Sequence, residues 1–198
     1  MHGASLDPEV MLSAYAQGAF PMTDPDGVTR WYTADPRGVI PLDNRFRVSR
    51  SLRQTIRRGH FRVDVNRNFE AVMRACMLDR PDGTWISEEL VGAYVHLHSE
   101  GFAHSVETYT ADGDELVGGL YGVSLGGAFF GESMFHRRSD ASKVALVSLV
   151  ERLRARQFVL LDAQARTRHL SHFGCQELDA PVYLRWLRDA IMLRRTFK

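Results

Sequence analysis

The order of secondary-structure signals predicts an α+β chain built on a mixed sheet with helices packed against it. Three observations carry this. Helical patterns dominate the first half of the 198-residue chain. A meander of three strand signals follows, between His104 and Met134. A long helical pattern then leads to a further apolar strand at Phe158–Asp162. Strands and helices do not alternate in a repeating βα order, which argues against a doubly wound parallel sheet.

Taken in order, the first helix is expected from Asp7 to about Gln17. Asp7 can cap it, Pro8 suits the first helical position and Gly18 can stop it. Residues 19–44 hold Pro21, Pro25, Pro36 and Pro41 with Gly27 and Gly38. They read as a structured loop, with short extended pieces at Arg30–Thr33 and Gly38–Pro41. Ser49 caps a short basic helix, Arg50 to Arg58, which Gly59 ends. Phe61–Val65 alternates like a strand. A helix from about Phe69 to Leu78 has Val72, Met73 and Cys76 as its apolar side. The loop Asp79–Thr84 leads to Trp85, and Ser87 caps a helix to about Ser99, stopped by Gly101. In the strand block, His104–Thr110 alternates, Asp112-Gly113 turns, Glu115–Ser124 returns, and Gly126-Gly127 turns into Ala128–Met134. Ala141–Arg156 is the longest helical pattern. A small helix near Arg166–His172 and a last one at Pro181–Leu193 complete the chain. A boundary near Arg62 divides a small N-terminal domain, residues 1–62, from a sheet-forming domain, residues 63–198.

The net charge of +1 conceals an asymmetry. Between Arg45 and Arg62 stand seven arginines and no acid. Arg50, Arg53 and Arg57 recur at three and four residues and so share one helix face, with Arg58 beside them. A concentrated basic stretch in a near-neutral chain reads as a footprint for a polyanion, or more blandly as a solvated helix face. Two cysteines, Cys76 and Cys175, do not form a disulfide framework. Met1–Leu6 has no leader pattern, and no apolar run is long enough to span a bilayer. The expected compartment is the cytoplasm.

Two segments carry candidate chemistry. In Phe129–Phe135, Glu132 sits among aromatics and Met134. Strict alternation puts Ala128, Phe130, Glu132 and Met134 on one face. A buried Glu132 needs a cationic or hydrogen-bonding partner; otherwise it is an edge-strand carboxylate facing water. In Val159–Gln164, an apolar strand ends in Asp162 and Gln164, which share a face if the strand persists. An Asp that fixes a Gln amide can orient that amide toward an amine, while an Asp that only caps the next turn does not. Tyr15, Phe20, Trp31, Tyr32 and Trp85 are either base-stacking surfaces or core. His169 and His172 have a metal-like spacing but no Cys or acid partner, so no metal is expected.

Several segments together resemble the bacterial leucyl/phenylalanyl-tRNA–protein transferases, over roughly residues 7–190. They are Tyr15–Pro21, Trp31–Arg37, Ser49–Leu52, Gly83–Ile86, Leu116–Val123, Gly131–Phe135 and Ala141–Lys143. The resemblance implies a GNAT-like mixed sheet for the larger domain. It implies transfer of Leu or Phe, and Met less well, from aminoacyl-tRNA to proteins beginning with Arg or Lys, feeding N-degron proteolysis. No cofactor is implied. The family's Asp-x-Gln motif falls on Asp162 and Gln164, and its pocket glutamate on Glu132. Its amino-acid pocket falls on Leu120, Phe129, Met134 and Leu161. Its tRNA-stacking Trp falls on Trp85, and Met22 stands where the family usually has a second Trp. Ala163 replaces a frequent Cys and is expected to point away from the site. The family's usual N-terminal extension is mostly missing before Leu6, which implies weaker tRNA docking. In the expected mechanism, Gln164 accepts a hydrogen bond from the attacking amine, Asp162 orients that amide, and Glu132 holds the donor's α-ammonium. Two rivals remain at this point. One is a CoA-dependent N-acetyltransferase, against which Arg137–Lys143 lacks a phosphate-cradling glycine. The other is a non-catalytic tRNA-binding protein, which explains the arginines but not Glu132, Asp162 and Gln164.

Overall fold

The computed structural model describes residues 4–79 and 83–198. Part of Met1–Leu6 and the middle of the Asp79–Thr84 loop lie outside the described residues. The elements are α1 (Pro8–Ala16), β1 (Phe20–Thr23), β2 (Thr29–Tyr32), β3 (Arg37–Ile40), α2 (Arg50–Arg57), β4 (Phe61–Val65), α3 (Phe69–Leu78) and α4 (Glu88–Ser99). There follow β5 (Ala103–Thr110), β6 (Leu116–Leu125), β7 (Ala128–His136), α5 (Ala141–Ala155), β8 (Leu160–Asp162), α6 (Arg168–Ser171), β9 (Gln176–Leu178) and α7 (Ala180–Ile191).

Helix starts follow their local chemistry. Ser49 Oγ accepts from the Leu52 N–H and Ser87 Oγ from the Leu90 N–H, each satisfying an orphan donor of the first turn. Asp7 takes the expected cap position of α1, but its side chain makes no capping bond; Ser5 Oγ donates to it at 2.7 Å instead.

Seven strands form one sheet in the order β4-β5-β6-β7-β8-β3-β9, antiparallel except for the parallel β7–β8 pair. The sheet is mixed and helix-flanked, as expected. One face packs on α1, α3, α4 and α7 through Tyr15, Val72, Leu90, Tyr94 and Leu187. The other packs on α5 and Leu52 of α2, with Phe197 from the C-terminal segment. Among the described residues no helix is long and apolar enough to cross a membrane.

The stretch expected to be a loop, residues 19–44, holds more structure than its prolines suggest. β1 and β2 form a separate hairpin, and β3 lies inside the large sheet between β8 and β9. The chain therefore enters that sheet ahead of Arg62. β5 alternates in sequence yet is buried along its whole length, because helices cover both faces. Its polar residues are accommodated by bonding: Ser105 Oγ donates to Glu107 at 2.6 Å, and His104 pairs with Asn66 and Ser124. β9 is three residues with no apolar pattern and gave no strand signal.

Candidate active site

The parallel pairing of β7 and β8 covers only Ala128–Phe130 against Leu160–Asp162. Beyond it β8 stops, while β7 runs on to His136. A cavity of about 520 Å³ opens in that gap. Leu120 and Met134, cross-strand partners on β6 and β7, line it with Leu146, Leu149 and Leu161. Glu132, Asp162 and Gln164 line it as well. A mostly apolar slot with a few convergent polar groups is the usual form of a small-ligand site.

A bulge sets Glu132. Tyr121 pairs with Ser133 and Gly122 with Gly131, so Glu132 is the extra residue. The expected alternation is thereby corrected. Phe130 and Phe135 point to the α1–α4 side, whereas Phe129 and Met134 point to the α5 side. Gly122 permits the bulge, since a Cβ there would lie 2.1 Å from the Phe130 carbonyl oxygen. Glu132 does not face water as an edge residue would. Tyr94 Oη donates to its carboxylate at 3.1 Å and Gln164 Nε2 at 3.3 Å, while the buried Tyr15 hydroxyl bonds that of Tyr94. Burial pushes the Glu132 carboxyl up to about 7, against the opposing hydrogen bonds of Tyr15 and Tyr94. A carboxyl so placed exchanges protons at neutral pH.

Asp162 is wired differently from expectation. Its carboxylate receives Arg37 Nε at 2.9 and 3.1 Å, Arg37 Nη2 at 2.6 Å and Tyr183 Oη at 2.6 Å. It also accepts the backbone N–H of Gln164 at 2.8 Å. It thus fixes the Gln164 main chain and leaves the amide to Glu132. The reason is that the strand does not persist: Gln164 has φ 54°, which turns its side chain toward β7. Ala163 lines the cavity instead of pointing away, because alternation puts it on the same face as Leu161. Gly38 makes room for this turn, because a Cβ there would lie 2.5 Å from the Ala165 carbonyl carbon. The bonds Gly38 N–H to Gln164 O and Ala163 N–H to Gly38 O, both 2.9 Å, hold it to β3.

Arg37 and Asp162 are 1% and 0% exposed. Burial alone would lower Arg37, but the hydrogen bonds and charge of Asp162 outweigh it and hold the guanidinium above its ordinary value. Arg37 also donates to the Gly18 carbonyl at 2.8 Å and lies over the rings of Phe20 and Tyr183. Sequence reasoning missed Arg37, Tyr94 and Tyr183, and named Tyr15 only as a stacking surface or core residue. Tyr15 and Arg37 stand in the segments that carry the family resemblance, and that was the signal available for them.

Of the other expected site residues, Phe129 is not at the cavity; it is fully buried and stacks on Phe197 at 5.1 Å. Met22 and Trp85 also lie off it, brought near each other by the bond from Thr23 N–H to Trp85 O. Arg50, Arg53, Arg57 and Arg58 are exposed on α2, and among the described residues none makes an ion pair. The described residues hold no group of His, Cys, Asp and Glu arranged for a metal ion.

The fold and site together define a mixed-sheet α+β protein that can press an apolar group against a proton-exchanging carboxyl and an amide. Its sequence places it further. Residues 39–188 match the family described as Leucyl/phenylalanyl-tRNA protein transferase, and residues 4–35 match that family's N-terminal domain. The chain belongs to this family. Relatives named leucyl/phenylalanyl-tRNA–protein transferase include those of Rubrobacter xylanophilus and Herpetosiphon aurantiacus, each 52% identical over 192 residues, covering 97% of this chain and 98% of the relative. Among solved structures, a ribosomal-protein-alanine N-acetyltransferase from Brucella melitensis biovar Abortus gives a TM-score of 0.41 at 14% identity, covering 57% of this chain and 84% of that one. L-PGS from Bacillus licheniformis gives 0.48 at 12% identity, covering 95% and 71%. Likeness at that level identifies neither activity nor ligand.

Proposed function

We propose that this protein transfers Leu or Phe from aminoacyl-tRNA to the N-terminal amine of proteins beginning with Arg or Lys, feeding N-degron proteolysis in the cytoplasm. The observation that carries the reading is the Gln164–Glu132 hydrogen bond at the wall of a mostly apolar cavity. Family membership supports an aminoacyl-tRNA donor and a protein acceptor.

The tRNA ester is already activated, so catalysis reduces to holding an amine against the ester carbonyl and removing its proton. The leucyl or phenylalanyl side chain occupies the slot between Leu120, Met134, Leu146 and Leu161. Because Gln164 Nε2 is engaged by Glu132, its Oε1 is left to accept from the attacking amine. An amide is too weak a base to take that proton, and Glu132, poised near 7, takes it. The amine nitrogen bonds to the carbonyl carbon, the bond from that carbon to the ribose oxygen breaks, and the proton passes on to the departing oxygen. This replaces the expected role of Glu132 as an anchor for the donor's α-ammonium. Asp162 contributes by position, through the Gln164 backbone. Trp85, with Met22 nearby, offers a surface for the terminal base.

The direct test is leucyl transfer from charged tRNA to a peptide beginning with Arg; a purified protein that transfers nothing contradicts the reading. Gln164→Ala is expected to lower kcat about ten- to a hundredfold while tRNA binding changes little. Equal losses in both would remove the positioning role.

The exposed arginines of α2 are expected to make tRNA affinity strongly salt-dependent. Arg50→Ala with Arg53→Ala is expected to reduce the slope of log K against log salt by roughly 1–2, as phosphate contacts are lost. A slope equal to that of the parent protein would take α2 out of the interface.

A further inference from the structure

A second, smaller cavity of about 200 Å³ adjoins the first, and His169 lines both. Its other walls carry Arg47, Lys143 and His172, beside Ser49 at the start of α2. Local packing brings them together. Phe46 stacks on Phe173 at 5.8 Å, and the Arg47 N–H bonds the Phe173 carbonyl at 3.0 Å, fixing Arg47 to the segment that ends in His172. Arg47 and His172 are exposed and make no ion pair among the described residues. Lys143 reaches Asp140 at 2.7 Å, and no acid stands among the residues that line the small cavity. His169 Nε2 is buried and has no hydrogen-bond partner. Burial lowers His169, and Lys143, His136 and His172 lower it further, which places the passage in a positive field. An unpaired guanidinium and two imidazoles around a small cavity with no acid in its lining fit a compact anion.

We propose that this passage binds the phosphodiester that joins the last two nucleotides of the donor tRNA, with Arg47 and His172 as its ligands. The assignment rests on the function proposed above. An ester in the main cavity places its ribose at the mouth, and the next phosphate lies one ribose away. From there the same passage reaches Ser49 and Leu52, at the start of the helix that carries the α2 arginines. The strand therefore runs from the cavity, past Arg47 and His172, onto the basic helix.

The test compares two short donors with full tRNA: leucyl-adenosine, which has no phosphate, and leucyl-cytidylyl-adenosine, which has one bridging phosphate. In the parent protein the dinucleotide is expected to exceed the nucleoside in kcat/KM by about tenfold, chiefly through KM, as for a charge-assisted hydrogen bond. In the Arg47→Ala, His172→Ala variant that ratio is expected to fall to near one, and Arg47→Lys with His172 intact to retain most of it. A ratio near one in the parent protein, or a ratio that survives the double substitution, overturns the proposal. If the parent protein transfers nothing even from full leucyl-tRNA, the function itself is refuted, and the assignment falls with it.

Discussion

Asp162→Ala is expected to destabilise the fold by about 3–5 kcal/mol, a large part of the roughly 5–15 kcal/mol that holds a domain of this kind together. The cause is not the ion pair's own strength, because two charges taken out of water roughly offset their attraction. It is what the substitution leaves behind. Arg37, 1% exposed, would keep its charge with no carboxylate, and Tyr183 and the Gln164 N–H would lose their acceptor. Removing both charges, as Arg37→Met with Asp162→Leu, is expected to recover in urea unfolding the share of that loss due to the unpaired Arg37 charge, while Tyr183 and the Gln164 N–H stay without their acceptor. Activity should not return with it, because the Gln164 turn would still lack its anchor. Recovery of stability and turnover together would make the cluster purely structural. A loss below about 1 kcal/mol in the single variant would mean that the pair is hydrated in solution.

This cluster marks where the sequence stops being informative. Helix starts at Ser49 and Ser87 were legible because a cap is a bond between near neighbours. The extended piece at Gly38–Pro41 was legible, but its place in the large sheet as β3 was not, and β9 gave no signal, because strand pairing is settled by partners far along the chain. Arg37 and Asp162 are 125 residues apart, and Arg37 stands in a proline-rich stretch that reads as loop. Glu132, Asp162 and Gln164, the residues singled out in the sequence, line one cavity. Their connections were not legible, for two local reasons. A bulge at Glu132 breaks the alternation on which face assignment depends, and a left-handed residue at Gln164 ends the strand where alternation assumed it continued. The resemblance put Phe129 in the pocket, but the distant Phe197 covers it.

Glu132→Gln is expected to reduce kcat/KM by roughly 10²–10⁴, the usual contribution of a positioned general base, while making the protein more stable at neutral pH. The two effects have one origin. Burial holds the Glu132 carboxyl at about 7, against an ordinary value of 4.5, so the folded state retains a proton that the unfolded chain has released. Stability linked to this group is therefore full below about 4.5, declines as pH rises, and levels off above about 7. The penalty above that pH is of order 3 kcal/mol, at ~1.4 kcal/mol per pKa unit, and a neutral Gln avoids it. Gln keeps one oxygen for the Gln164 amide, and its NH2 meets the Tyr94 hydroxyl, which can accept it, so the cavity wall keeps its shape. The pH profile separates chemistry from packing. The parent enzyme needs both an ionised Glu132 and a neutral acceptor amine, whose pKa is about 7.7–8.0, so log kcat/KM should rise with a slope near two below about 7. In the Gln variant one ionisation remains, and the slope should fall to one. A slope of one in both proteins would deny Glu132 the proton, and a variant less stable than its parent at pH 8 would mean that the carboxylate is stabilised where it lies.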